Sequence, residues 1–149
     1  PLRLVGSEMC IRDRARAVLD TPFDPASGMA VTLVLSSSVK SPIPGLAISN
    51  GLRPGLAMAA KTLADEYGPR GGRVNVLLPG RIDTDRVKSL DAGTGDAEAS
   101  KAKAEAGIPL GRYGTPEEFG RVAAFVTSPA ASYLTGIAIP VDGGALRTL

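Results

Sequence analysis

The sequence contains no histidine and no tryptophan, a single cysteine, and only 4% aromatic residues among 149 positions. Without histidine there is no Ser-His-Asp or Cys-His triad, and no histidine-ligated zinc. With Cys10 alone no disulfide can form within the chain, and a reducing, cytoplasmic setting is the expectation. No apolar run reaches the roughly 20 residues of a membrane span, so no membrane partner is expected. A formal charge of +2, scattered basic residues and few rings for bases to stack on argue against nucleic acid.

What is present is small and aliphatic. Hydrophobic residues make up 44%, enough for a core and too many for a disordered chain. The length suits one domain. A core of Ala, Val, Leu and Ile lets helices and sheets approach closely, as layered α/β folds require.

The opening residues look foreign to the rest. Ser7–Arg14 (SEMCIRDR) resembles translated sequencing-adapter read-through, with a short amphipathic helix as the plainer reading. Taking residues 1–14 as a non-native segment leaves 15–149 as the domain and gives Cys10 no functional role.

Periodicity and punctuation then divide the chain. Ala15–Leu19 reads as the end of a helix, and Thr21–Gly28, with two prolines and a glycine, as a loop. Ala30–Leu35 (AVTLVL) is a continuous apolar, β-branched run, the pattern of a strand buried on both faces. Ser36–Gly45 follows as a loop. A helix is predicted from Asn50 as N-cap, with Pro54 in its first turn and Leu56, Ala59, Ala60, Leu63, Ala64 and Tyr67 on one face. Arg73–Leu78 (RVNVLL) is the next strand, stopped by Pro79-Gly80. Arg81–Thr94 reads as irregular and mobile, and Asp96–Ala106 as a short helix closed by Gly107. Thr115–Glu118 (TPEE) is a capping box with proline at the first helical position, and Phe119, Val122, Ala123 and Val126 supply a buried face. Gly136–Val141 is the last strand and Gly143-Gly144 a turn. Strands separated by helices predict a parallel sheet with right-handed crossovers.

Four segments carry a family likeness. They are Val31–Ser38 (VTLVLSSS), Pro79–Thr84 (PGRIDT), Leu110–Glu118 (LGRYGTPEE) and Tyr133–Gly144 (YLTGIAIPVDGG). In this order they resemble the C-terminal part of the short-chain dehydrogenase/reductase family, most of all proteins labelled 3-oxoacyl-(acyl carrier protein) reductase. The resemblance implies a truncated Rossmann-like, three-layer α/β fold with a parallel sheet. It implies NAD or NADP as cofactor in the intact parent, and hydride transfer to or from a small-molecule carbonyl or alcohol. Ser37 is the first choice for the family's catalytic serine and Ser38 the second. Pro79, Gly80, Ile82 and Thr84 are expected to hold the nicotinamide, since ligands of open α/β sheets bind beyond the carboxyl ends of the strands. An ordinary strand-ending turn also accounts for Pro79-Gly80. The family's glycine-rich phosphate loop is not in this sequence, so the chain by itself is expected to bind no dinucleotide tightly.

The catalytic region departs from the family pattern, which needs a tyrosine and, four residues later, a lysine. Alignment of Gly45–Leu56 (GLAISNGLRPGL) puts Ile48 and Leu52 at those positions, and neither can move a proton. Ser49, Asn50 and Arg53 cluster nearby. Arg53 can replace the lysine as a fixed charge but not as an acid. A helix cap for Ser49 or Asn50 and a solvated Arg53 form the plainer reading. Two functions follow. One is a nicotinamide-dependent oxidoreductase using Ser37, Ser38, Asn50 and Arg53. The other is a non-catalytic dehydrogenase-like subunit for binding or oligomerisation. In either case a homo-oligomer through helices 52–67 and 115–128 is expected.

Overall fold

The computed structural model describes residues 2–26 and 28–148, with side chains from Met9 onward. Its elements are α1 (Leu2–Asp20), β1 (Met29–Val34), α2 (Ala47–Tyr67), β2 (Gly72–Pro79), α3 (Asp85–Ala92), α4 (Ala97–Ala106), α5 (Pro116–Thr127) and β3 (Ala138–Val141). Single 3-10 turns follow β1, α2 and α5, the first at Ser37–Val39.

The sheet is parallel throughout, in the order β1-β2-β3. β2 is the central strand, and its residues 74–78 are all buried, the polar Asn75 included. Alternate side chains of β2 serve opposite faces. Val74, Val76 and Leu78 join Leu33 and Leu35 of β1 against Leu56, Ala60, Leu63, Ala64 and Tyr67 of α2 and Leu19 of α1. Each fully buried leucine or valine here contributes about 1.5–3 kcal/mol of burial. The other face turns toward α5. Arg73 donates to the carbonyls of Val126 and Ser128 (both 2.9 Å), Leu134 and Thr127, placing a cation at the negative end of α5. Asn75 donates to Leu134 O at 2.8 Å. Helices on both faces of a parallel sheet make the three-layer α/β arrangement.

Most predicted elements are present within a residue or two. The apolar face of α2 is buried as its spacing requires, with Ala59 half-buried. The capping box of α5 forms: Glu118 N donates to Thr115 Oγ1 at 3.2 Å, and Thr115 N to Glu118 Oε2 at 2.8 Å.

Two expectations are corrected. First, α2 starts at Ala47, not near Asn50. Leu46 holds the capping position without a side-chain bond, which hid the start. Asn50 spends its amide elsewhere, donating to Ile43 O (2.9 Å) and accepting from Ile43 N (3.1 Å), so it clips the preceding loop to the helix. Second, residues 81–94 are not irregular. Thr84 accepts from Val87 N and caps α3, and Asp85 in the first turn suits the positive end of that helix.

α1 docks by its C-terminal half. Ala15 and Leu19 are buried against α2, whereas residues 9–14 are all exposed, Cys10 among them. Arg16 pairs with Glu66 at 2.6 Å, and the Tyr67 hydroxyl donates to Asp20, a bond that raises the phenol pKa. No described helix is long and apolar enough to cross a membrane.

Candidate active site

The site is built at the carboxyl ends of β1 and β2. Pairing continues past β1, with Leu35 N donating to Leu77 O at 2.9 Å. The chain then winds into the turn Ser37–Val39, because Ser36 Oγ accepts from Ser38 N (3.1 Å) and Ser36 O from Val39 N (3.1 Å). This winding drives Ser38 inward until it is 4% exposed. Its Oγ lies 3.4 Å from Ser49 Oγ on α2. Arg53 Nε donates to the same Ser49 Oγ at 3.2 Å. Ser49 and Arg53 share a face because residues four apart stack along a helix.

Around the chain Ser38–Ser49–Arg53 the expected residues are placed as follows. Ser37 is half-buried and its Oγ has no hydrogen bond among the described residues; its carbonyl accepts from Lys40 and Ser41. Ser38 is therefore the serine that faces α2. Asn50 is turned onto the Ile43 backbone rather than onto this chain. The positions facing the serine are Ser49 and Arg53, one residue beyond the alignment at Ile48 and Leu52. Ile48 is 57% exposed. One residue of slip turns a helical side chain by about 100°, enough to exchange the face that meets the loop for the face that meets solvent. The serine–arginine spacing of four was the signal in the sequence, since it repeats the family's tyrosine–lysine spacing.

Beyond β2, Gly80 N donates to Val141 O at 3.0 Å. A Cβ at Gly80 would lie 2.6 Å from Asp142 Cβ and 2.7 Å from its Cα. The bare Cα is thus required by the end of β3, which supports the plain turn role for Pro79-Gly80. The next residues differ. Arg81 O accepts from Gly114 N (2.9 Å), Asp83 N donates to Gly114 O (2.8 Å) and Thr84 N to Ile82 O (2.8 Å). The Ile82 N–H has no partner among the described residues, and the Thr84 hydroxyl, an acceptor from Val87 N, keeps its own proton to give. Two free donors at the end of β2 suit a carboxamide oxygen. The two terminal nitrogens of Arg53, also without partners among the described residues, suit a ribose diol or phosphate. In these respects the residues fit a nicotinamide nucleotide.

The cavity beside Ile82, lined also by Val122, Val141 and Gly143, holds about 180 Å³. That is below the ~300 Å³ at which small-molecule pockets begin. No group of three His, Cys, Asp or Glu side chains gathers to hold a metal among the described residues.

A serine turn and a proline–glycine bend follow neighbouring strands of one parallel α/β sheet. A family model described as enoyl-(acyl carrier protein) reductase matches residues 13–145, and the chain belongs to the short-chain dehydrogenase/reductase family. The 3-oxoacyl-[acyl-carrier-protein] reductase FabG of Chlamydia trachomatis is 40% identical over 101 residues, covering 68% of this chain and 38% of the relative. The L-sorbose reductase of Gluconobacter frateurii, solved with NADPH and L-sorbose, superposes with a TM-score of 0.78 at 31% identity, over 83% of this chain and 49% of that one. A short chain oxidoreductase from Pseudomonas aeruginosa, solved with NADPH and containing an atypical catalytic center, gives 0.71 at 31% identity over 80% and 47%. The chain spans about half, or less, of the length of these proteins.

Proposed function

We propose that the protein is an NAD(P)-dependent oxidoreductase that reduces a small-molecule carbonyl compound at the Ser38–Ser49–Arg53 chain. One observation carries this reading: three connected polar side chains follow the carboxyl end of β1, and Ile82 and Thr84 offer free donors after β2, the strand paired with it. When bound, a reduced nicotinamide supplies hydride to the carbonyl carbon. The protein's part concerns the oxygen, which gains negative charge. Because Arg53 Nε already donates to Ser49 Oγ, the Ser49 hydroxyl proton is free to point at that oxygen while Ser38 donates to Ser49 Oγ. Arg53 adds a fixed positive charge next door, and preorganised donors and charge of this kind stabilise a developing oxyanion. The Ser38–Ser49–Arg53 chain holds no general acid in reach of that oxygen, so water delivers the final proton in this reading.

The missing acid also supports a second reading, a dehydrogenase-like subunit that binds nucleotide without turnover. In that reading exposed Met58 on α2 and Phe125 on α5, 67% and 50% exposed, belong to contacts between copies.

The test uses the full-length protein. NADPH fluorescence is titrated, then NADPH oxidation is followed with a panel of ketones. Binding and turnover are expected, with Arg53→Ala weakening binding about tenfold as a charge-assisted contact is lost. Ser49→Tyr with Arg53→Lys reinstates a tyrosine–lysine pair and is expected to raise the rate about a hundredfold. Binding without turnover supports the second reading. Absence of binding overturns both.

A further inference from the structure

The pair α3–α4 follows the bend after β2 and is fastened to the molecule by little apolar burial. Asp91 is the only buried residue of α3, and α4 has none. Asp91 is a carboxylate, 5% exposed, in the last turn of a helix whose negative end repels it. A charge is kept inside a protein only when paired and hydrogen-bonded. Asp91 receives three such bonds. Tyr113 Oη donates to Oδ2 at 2.9 Å, Ser100 Oγ to Oδ1 at 3.1 Å and Arg81 Nη1 to Oδ1 at 3.3 Å. The donors come from the linker before α5, from α4, and from the segment after β2. Burial, and next the bond to Asp91, push the Tyr113 phenol above its usual range, so it stays a donor. Lys101 and Arg81 stand 5.6 and 6.0 Å from the Tyr113 ring centre and add cation–π attraction.

Arg81 links this knot to the site. Its carbonyl accepts from Gly114, and the residue after it carries the free Ile82 N–H. We infer that Asp91 is a positioning residue, a latch whose carboxylate fastens α3–α4 to Arg81 and Tyr113 and thereby sets the donors at Ile82 and Thr84. The ligand of those donors rests on the function proposed above; the latch rests on the contacts of Asp91.

Two variants of the full-length protein separate these parts: Asp91→Asn, which keeps shape and loses charge, and Asp91→Ala. Hydrogen exchange is measured without ligand, and NADPH is titrated by fluorescence. In both variants amides 85–106 are expected to exchange about tenfold faster, with β1, β2 and α2 unchanged, as loss of hydrogen bonds to a charged group implies. The NADPH dissociation constant rises about tenfold, and the emission of the bound nicotinamide at saturation falls. Tyr113→Phe gives a smaller effect in the same direction. Wild-type exchange over 85–106 overturns the latch. So does faster exchange spread into β2 and α2, which marks a general loss of stability. Faster exchange with unchanged NADPH affinity overturns the positioning role. If wild-type protein binds no NADPH, the proposed function fails, and the latch stands or falls on exchange alone.

Discussion

At the scale of single residues, charge placement makes the sharpest claims. Glu118 accepts both terminal nitrogens of Arg112, at 2.9 and 2.7 Å, as well as Thr115 N. The Arg112 bonds, and then the Thr115 bond, lower its carboxyl pKa from 4.5 to about 2. A carboxyl whose pKa falls on folding adds stability above its unfolded value and loses it as the pH drops through the folded one. The melting temperature is therefore expected to fall between pH 4.5 and 2, and Glu118→Gln to flatten part of that fall in thermal melts at stepped pH. Glu118 was legible in the sequence because a capping box is a local pattern, complete within four positions. The serine chain was only half legible. Ser49 and Arg53 were visible as a cluster, but which residue of α2 meets the loop depends on how the chain turns at Ser36–Ser38. Asp91 was not legible at all. Its partners Arg81, Ser100 and Tyr113 are brought together by folding, and an aspartate near the end of a polar helix looks like any solvated acid.

At the scale of elements, α1 is buried unevenly along its described side chains. Its residues 9–14 are exposed while Leu19 is 0% exposed among α2 and β2 side chains. Leu19→Ala is expected to cost about 2–5 kcal/mol in denaturant unfolding, by lost burial and the cavity left behind. Removing residues 1–12 is expected to change stability by less than about 0.5 kcal/mol, the range of surface changes. A larger loss on truncation would show that the opening segment, read as foreign to the domain, belongs to it. Elements with strong periodicity were foreseen for the same reason that they are stable: β2 and α2 bury their apolar patterns. α3 was missed because it buries almost nothing, so no apolar stripe advertised it. Thr84 followed by Asp85, a cap and a first-turn acid, was the available sign.

At the scale of the whole molecule, the sheet has β1 on one flank, and that flank is apolar. Val34 is 54% exposed, and the Thr32 hydroxyl is buried with no hydrogen-bond partner among the described residues. A strand edge of this kind invites pairing with another chain. The 149-residue chain alone is expected to form concentration-dependent assemblies in sedimentation, and Val34→Lys to reduce them. Calorimetry on the same chain is expected to detect no submicromolar NADPH binding, because no helix N-terminus of a phosphate loop is supplied. Tight binding would mean that the donors at Arg53, Ile82 and Thr84 suffice without one.

The contact between Gly80 and Asp142 has a heritable side. The space a methyl would need at residue 80 is taken by the Cβ and Cα of residue 142. Asp142 in turn accepts from Gly144 N (2.9 Å) and Leu146 N (2.8 Å), so it has no slack to withdraw. Selection therefore acts on the two positions as one locus: a library randomised at 80 alone returns glycine, and other residues survive there only alongside a rebuilt loop at 142–146.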